Sequence, residues 1–288
     1  MSTKPSLPFF MRMVFLKVAC MLLFFSLAAV GQTDTSPLVL EGQVVDIKNS
    51  GPLAYVNIGI AGKNIGTVSG ADGQFKLQLH EKQLGDTVSF SFIGYESLRI
   101  PVQVLLELRI PVVMTPKAFQ LQEIVVKNRR YKERFFGHFT ESKAAQAGFN
   151  ENVLGKECGV LMHTKKPTLL EEVQLNFGTC TYDSVYFRLN FYQINTQGEY
   201  EPLLKVPQYY AFSKAELLQT LAIDIRDLNL EVQGKFMVSV EYYRDLGPGK
   251  LFFKSKLNGS SLIRATSQGK WVQVPLGISL GVFGQVER

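Results

Sequence analysis

Apolar side chains recur at every second position along most of this chain, and that period limits what it can fold into. Val56, Ile58 and Ile60 alternate with Asn57 and Gly59. Phe75, Leu77 and Leu79 alternate with Lys76 and Gln78, and Val88, Phe90 and Phe92 with Ser89 and Ser91. A strand sends successive side chains to opposite faces, so each run buries one face and wets the other. Asn49-Ser50-Gly51-Pro52 and Asp72-Gly73 mark turns between the runs. Residues 38–126 show no helical period, and short strands at this spacing predict a β-sandwich. The 21 Phe and 11 Tyr residues suit sheets as well.

The same alternation returns after Cys158 in longer runs. Val173, Leu175 and Phe177 form one, and Val185, Phe187, Leu189 and Phe191 the next. Phe236, Val238, Val240 and Tyr242 follow, and Ile278, Leu280 and Val282 come last. Turn signals stand at Gln197-Gly198, Gly247-Pro248-Gly249, Asn258-Gly259 and Gln268-Gly269. This pattern predicts about eight strands in a jelly-roll-like sandwich over 158–288. Residues 213–220 are the exception: Ser213 and Glu216 have the spacing of a capping box and predict a short helix. The expected class is all-β, with two sandwiches joined by a linker at 127–157. That linker is basic at its start, polar and Ala-rich near 142–147, and able to hold a short helix.

Residues 1–31 read as an export signal. Lys4, Arg12 and Lys17 are the only charges there; an apolar run follows over 18–30, and Ala29 and Gly31 put small residues three and one before the cleavage position at Gln32. A retained anchor would need about 20 apolar residues, and Lys17 cuts this run short. A lipoprotein signal wants an apolar residue three before Cys20, where Lys17 stands. No second stretch approaches spanning length, so no transmembrane span is expected after cleavage. Without the three N-terminal charges, 28 of the 31 basic residues remain against 25 acidic ones. That balance is too mild to argue for a nucleic-acid partner. Lys127, Arg129, Arg130, Lys132 and Arg134 form a basic cluster suited to peripheral contact with lipid phosphates, although such runs are more often solvated.

Removal of the signal leaves Cys158 and Cys180. In an exported chain these two form a candidate disulfide, with two separate buried thiols as the alternative.

Catalytic patterns are missing. His80-Glu81 lacks the second histidine of a zinc-protease helix, and there is no Gly-x-Ser-x-Gly elbow or phosphate-loop ending. Cys158 and His163 lie an odd number of residues apart, so one strand would point them to opposite faces. A carboxylate pair built from distant strands leaves no trace in spacing. No catalytic, metal or cofactor-binding residue is assigned.

One ordered set of motifs points to a family. Glu41-Gly42-Gln43-Val44-Val45-Asp46 is followed by Pro52-Leu53-Ala54-Tyr55-Val56-Asn57-Ile58, Gly66-Thr67-Val68-Ser69, Asp72-Gly73-Gln74-Phe75 and Phe92-Ile93-Gly94-Tyr95, and Leu121-Gln122-Glu123-Ile124-Val125-Val126 closes it. The set resembles the carboxypeptidase-D regulatory-like domain, which implies a seven-stranded prealbumin-like sandwich and a non-catalytic appendage. In Gram-negative bacteria this domain often precedes the plug and barrel of TonB-dependent receptors. The roughly 160 residues that follow here are too few for a 22-stranded barrel. The run from Asp183 to Tyr192, with Thr266-Ser267-Gln268-Gly269-Lys270-Trp271, resembles C-terminal regions of small envelope proteins that carry the same first domain.

The expectation is a non-enzymatic protein of a Gram-negative periplasm, outer membrane or cell surface. It would bind an envelope protein or polysaccharide through sandwich loops such as 205–212 and 244–250. A carbohydrate-binding module using exposed Tyr209, Tyr210 and Trp271 is the alternative, and an unrecognised hydrolase the second alternative.

Overall fold

The structure is a computed structural model that describes residues 38–108, 110–118 and 130–288. The export signal, Lys127, Arg129 and the closing Leu121–Val126 motif lie outside the described residues. The fold is nearly all β, and residues 38–288 form one compact unit.

The first module has seven strands: β1 (Leu38–Asp46), β2 (Asn57–Ile60), β3 (Ile65–Val68), β4 (Gln74–Leu79), β5 (Thr87–Ser91), β6 (Leu98–Pro101) and β7 (Val112–Met114), with a short helix α1 (Val102–Leu108) after β6. They form two sheets, ordered β4-β1-β7 and β3-β2-β5-β6. The inward phase of these runs is the one that alternation marks: Val56, Ile58, Ile60, Phe75, Leu77, Leu79, Val88 and Phe90 are all buried in one core.

The second module holds β8 (Tyr131–Gly137), β9 (Gln146–Phe149), β10 (Glu157–Leu175), β11 (Phe177–Cys180), β12 (Ser184–Ile194), β13 (Tyr200–Pro202) and β14 (Gln208–Ser213). It continues with β15 (Leu221–Asp224), β16 (Glu231–Tyr242), β17 (Leu251–Lys256), β18 (Ser261–Arg264), β19 (Val272–Val274), β20 (Gly277–Ile278) and β21 (Leu280–Glu287). Ten of these strands share a sheet whose spine runs β13-β12-β16-β10-β18-β19, and β9, β11, β17 and β20 form a smaller sheet. The smaller sheet packs on the larger through aromatic rings: Phe149 against Tyr242 at 4.4 Å and Phe177 against Phe187 at 6.2 Å between centroids. The module therefore has a sandwich-like core separate from the first.

β10 organises this module. It is 19 residues long and pairs with β16, β18, β21 and β15. Pro167 cannot donate to a ladder, and the register with β16 shifts between Thr164 and Thr168, as expected around a strand proline. The two threonine hydroxyls lie 2.9 Å apart and each 3.0 Å from the Lys166 carbonyl, so one donates to that carbonyl while the other can donate to it or to its fellow hydroxyl, which closes the irregularity.

Several expectations need correction. The 127–157 segment is no linker where it is described, because β8 pairs with β21 and β9 with β17. Lys132 and Arg134 are exposed residues of a paired strand, and the Arg134 guanidinium lies 5.1 Å over Phe136. From Glu157 to Glu287 there are twelve described strands rather than about eight, since pieces such as β13, β19 and β20 are too short to show alternation. Ser213 and Glu216 do make capping-box contacts, with the Ser213 hydroxyl donating to Oε2 of Glu216 at 2.6 Å, yet only one 3-10 turn (Glu216–Leu218) follows. Cys158 and Cys180 are free thiols rather than a disulfide. Cys158 is buried in the core between its ladder neighbours Val240 and Ile263, whereas Cys180 donates to the Tyr182 carbonyl at 3.5 Å. Among the described residues no helix is long and apolar enough to cross a membrane.

Candidate functional site

Arg188 on β12, Glu241 on β16, Glu157 on β10 and Arg264 on β18 stand opposite one another on four neighbouring strands. The row reads plus, minus, minus, plus across the large sheet. Their chain neighbours Phe187, Leu189, Val240, Tyr242 and Cys158 point the other way, into the core. A strand phase this polar would ordinarily meet water. Here the first module covers it, so Arg188, Glu157 and Glu241 are at most 1% exposed.

The row is hydrogen-bonded at almost every atom. Arg188 donates to Oε2 of Glu241 from Nε at 3.1 Å and from Nη2 at 2.9 Å. It also crosses to the first module, from Nη1 to the Tyr55 carbonyl at 3.0 Å and from Nη2 to Oδ1 of Asn57 at 2.9 Å. Asn190 bridges the two carboxylates, donating to Glu157 at 2.9 Å and Glu241 at 2.6 Å. The Ser239 and Tyr192 hydroxyls donate to Oε1 of Glu157, and Nη2 of Arg264 lies 2.5 Å from Oε2 of Glu157. Among the described residues Oε1 of Glu241 and Nε of Arg264 are buried with no hydrogen-bond partner.

Burial pushes the Glu157 carboxyl above the ordinary carboxylate range; the Arg264 charge opposes this shift and the Glu241 charge adds to it. Burial by itself would lower the arginines, but Glu241 beside Arg188 and Glu157 beside Arg264 hold both above their ordinary value. Burial, then the Glu157 charge, raises the Tyr192 phenol as well.

A second set of contacts closes the junction. The Thr266-Ser267-Gln268-Gly269 turn enters the β2–β3 hairpin: Gly62 donates its N–H to the Gln268 carbonyl at 2.9 Å, and the Ser267 hydroxyl donates to Oδ1 of Asn57 at 2.9 Å. Gln268 reaches the Ser91 hydroxyl at 2.7 Å. The backbones approach so closely that a Cβ on Gly66 would stand 2.1 Å from the Ser267 carbonyl oxygen. Gly94, at φ +88°, meets the Lys205 carbonyl in the same way. Tyr55 adopts φ +64° as its carbonyl accepts from Arg188, an unusual conformation for a tyrosine at a point where two modules meet.

Beside this junction lies a cleft of about 300 Å³. The first module contributes Ser91, Phe92, Ile93, Tyr95, Ser97 and Lys117 to its walls. The second contributes Arg188, Asn190, Tyr192, Tyr200, Arg264 and Trp271. An aromatic series rims it: Tyr192 meets Tyr200 edge-on at 6.1 Å, Tyr200 lies 5.5 Å from Trp271, and the Arg264 guanidinium sits 5.1 Å over the Trp271 ring. A wider groove of about 1310 Å³ runs over β1 and β4. Its ion pair Glu41–Lys76 is solvated, with both side chains more than 60% exposed, and nothing there converges as the buried row does.

Of the sequence-derived candidates, Trp271 lines the cleft and Tyr209 and Tyr210 do not. Tyr209 meets the edges of Tyr55 and Tyr243, and Tyr210 packs on Phe187 in the core, so these rings form no flat platform with Trp271. Cys158 is buried and His163 exposed, on opposite faces of β10. Glu157 and Glu241 are the distant-strand carboxylate pair that spacing could not reveal. They are sealed beneath the arginines and do not line the cleft. Among the described residues no three His, Cys, Asp or Glu side chains are grouped so as to hold a metal ion. Arg188, Glu157, Glu241 and Arg264 were all missed; the available signal was Arg188 and Asn190 sharing one phase of an otherwise apolar strand.

Residues 40–126 match the model of the CarboxypepD_reg-like domain, which places that domain over the first module. No curated protein matches the chain. Among solved structures, the chain aligns with infectious bursal disease virus Gx strain at 8% identity and a TM-score of 0.25, covering 86% of this chain and 55% of that one. It aligns with the infectious bursal disease virus VP2 subviral particle at 10% identity and a TM-score of 0.20, covering 87% and 64%. The chain thus spans little more than half the length of the first of these.

Proposed function

We propose that this chain, whose first module is a CarboxypepD_reg-like domain, is an exported, non-catalytic binding protein of the cell envelope that holds its ligand in the cleft between its two modules. The observation that carries this reading is the convergence of Arg188, Arg264, Asn190, Tyr192 and Trp271 from the second module with Ser91, Tyr95 and Lys117 from the first. Small ligands usually bind in concave sites where a few fixed polar groups converge, often at a junction between domains. Support for a non-catalytic role comes from the sealing of Glu157 and Glu241, which leaves neither carboxylate at the cleft wall. Binding through the 205–212 loop has less support, because most of that segment is strand β14 paired to β12. Export rests on the N-terminal pattern, and an intact mass that begins at Gln32 tests it.

The binding test is native mass spectrometry of the protein recovered from an envelope fraction, beside a Ser97→Phe variant that narrows the cleft mouth. Ser97 is exposed, so the variant should keep the wild-type unfolding midpoint. The wild type should carry an added mass that the variant lacks. An adduct retained equally by both would place the ligand elsewhere.

A further inference from the structure

The cleft wall has a charge bias. Three cationic side chains, Arg188, Arg264 and Lys117, line it, and no acidic side chain does among the described residues. The two glutamates that balance the arginines lie underneath, fully buried. The cleft wall therefore carries cationic side chains and no anionic one among the described residues.

The two arginines differ in what remains open. Arg188 uses Nε, Nη1 and Nη2 on Glu241, Tyr55 and Asn57, and is locked to both modules. Arg264 makes fewer hydrogen bonds. Its Nη2 pairs with Glu157 and lies 3.7 Å from Oε1 of Glu241, its Cζ stands 5.1 Å from the Trp271 ring centre, and its Nε is buried without a hydrogen-bond partner among the described residues. A desolvated donor without an acceptor destabilises the structure that holds it, and an oxygen from outside would relieve that cost. A planar guanidinium in a cleft wall suits a carboxylate or phosphate, which can accept two of its N–H groups at once.

We infer that the cleft takes a small oxyanion-bearing molecule, a carboxylate or phosphate group on a ring or short apolar body, with Arg264 anchoring the anion. The inference rests on the binding reading above and assigns the chemistry of that site. Lys117 at the exposed mouth draws the anion in, and Phe92, Ile93 and Trp271 flank its body. A volume of about 300 Å³ admits one small molecule or the end of a longer one.

Trp271 is the only tryptophan in the chain, so its fluorescence reports occupancy directly. The probes are glucuronate against glucose, benzoate against benzyl alcohol, and inorganic phosphate. Glucuronate, benzoate or phosphate should change the Trp271 emission saturably while the neutral counterparts do not. A response to phosphate alone would identify a phosphate site, and a response to the carboxylates alone a carboxylate site. Arg264→Lys keeps the charge beside Glu157 but loses the planar fork, and should weaken binding by roughly tenfold or more, the size expected of a charge-assisted hydrogen bond. Its unfolding midpoint, measured in parallel, shows whether the fold is kept, and Lys117→Gln, a change at an exposed side chain, should weaken binding without touching the fold. Equal responses to glucose and benzyl alcohol would overturn the anion assignment and leave the cleft as a binding site. Silence towards every anion, or full affinity in both variants, would overturn it too, with the adduct measurement on Ser97→Phe deciding separately whether the cleft binds anything.

Discussion

Arg188 and Glu241 face each other across β12 and β16, and a single carboxylate oxygen of Glu241 accepts two of the guanidinium's N–H donors, at 3.1 and 2.9 Å. Both side chains are removed from water, at 1% and 0% exposure. The arginine's other donors end on Tyr55 and Asn57, so one ion pair in the second module's sheet also holds the first module in place.

Removing one member of this pair should be costly. Arg188→Met leaves Glu241 buried without its partner, and breaking a buried pair in this way destabilises by about 3–5 kcal/mol. The double substitution Arg188→Met with Glu241→Met removes both charges and should recover much of that loss. Urea unfolding of the wild type and the variants measures both. A single variant within error of the wild type would show that the row does not hold the modules.

The raised Glu157 carboxyl makes stability depend on pH in a definite direction. Its proton is held more tightly in the folded chain than in the unfolded one, because of burial first and the Glu241 charge after it. Between the ordinary value near 4.5 and the raised folded value, the folded state carries more protons, so stability falls as pH rises. Below that window the contribution is complete. Glu157→Gln, which is neutral at every pH, should flatten this part of the profile. Urea midpoints across acid to neutral pH test it, and parallel profiles for the two proteins would contradict it.

The glycines at the junction carry a further expectation. Gly66→Ala would bring a Cβ against the Ser267 carbonyl oxygen, a backbone atom that cannot swing aside. Overpacking of this kind costs about 1–3 kcal/mol. Gly85→Ala, where nothing lies within 4 Å, should stay within about 0.5 kcal/mol of the wild type. Thermal unfolding of the two variants should separate them clearly.

The thiols should titrate as two free groups in unreduced, denatured protein that has lost residues 1–31. In the native state Cys180, half-buried, should react first. Cys158 should resist, because burial and the adjacent Glu157 charge push its pKa up. A disulfide-linked peptide pair spanning 158 and 180 would refute this.

What could be read from the sequence follows from period two. Val56, Ile58, Phe75, Leu77, Val88 and Phe90 alternate cleanly, and all of them are buried in one core. Phe187, Leu189 and Phe191 likewise point inward. The other phase of that strand could not be placed. Alternation shows that Arg188 and Asn190 share a face, and a polar face is ordinarily solvent; that a second module lies over it is a tertiary fact with no local signal. Lys132 and Arg134 misled in the opposite way, since an edge strand with exposed charges reads as a linker. Trp271 was singled out for its ring. The ring's partners, Tyr200 and Arg264, come from other strands, and only the fold brings them together.

The most direct test of the central claim, that the cleft between the modules is where the protein does its work, is hydrogen exchange of the intact protein with and without a small-molecule extract of the cell envelope. The account predicts slower exchange on both sides of the cleft at once, over residues 91–97 of the first module and 266–271 of the second. Protection confined to the groove over β1 and β4, or to residues 244–250, would contradict it.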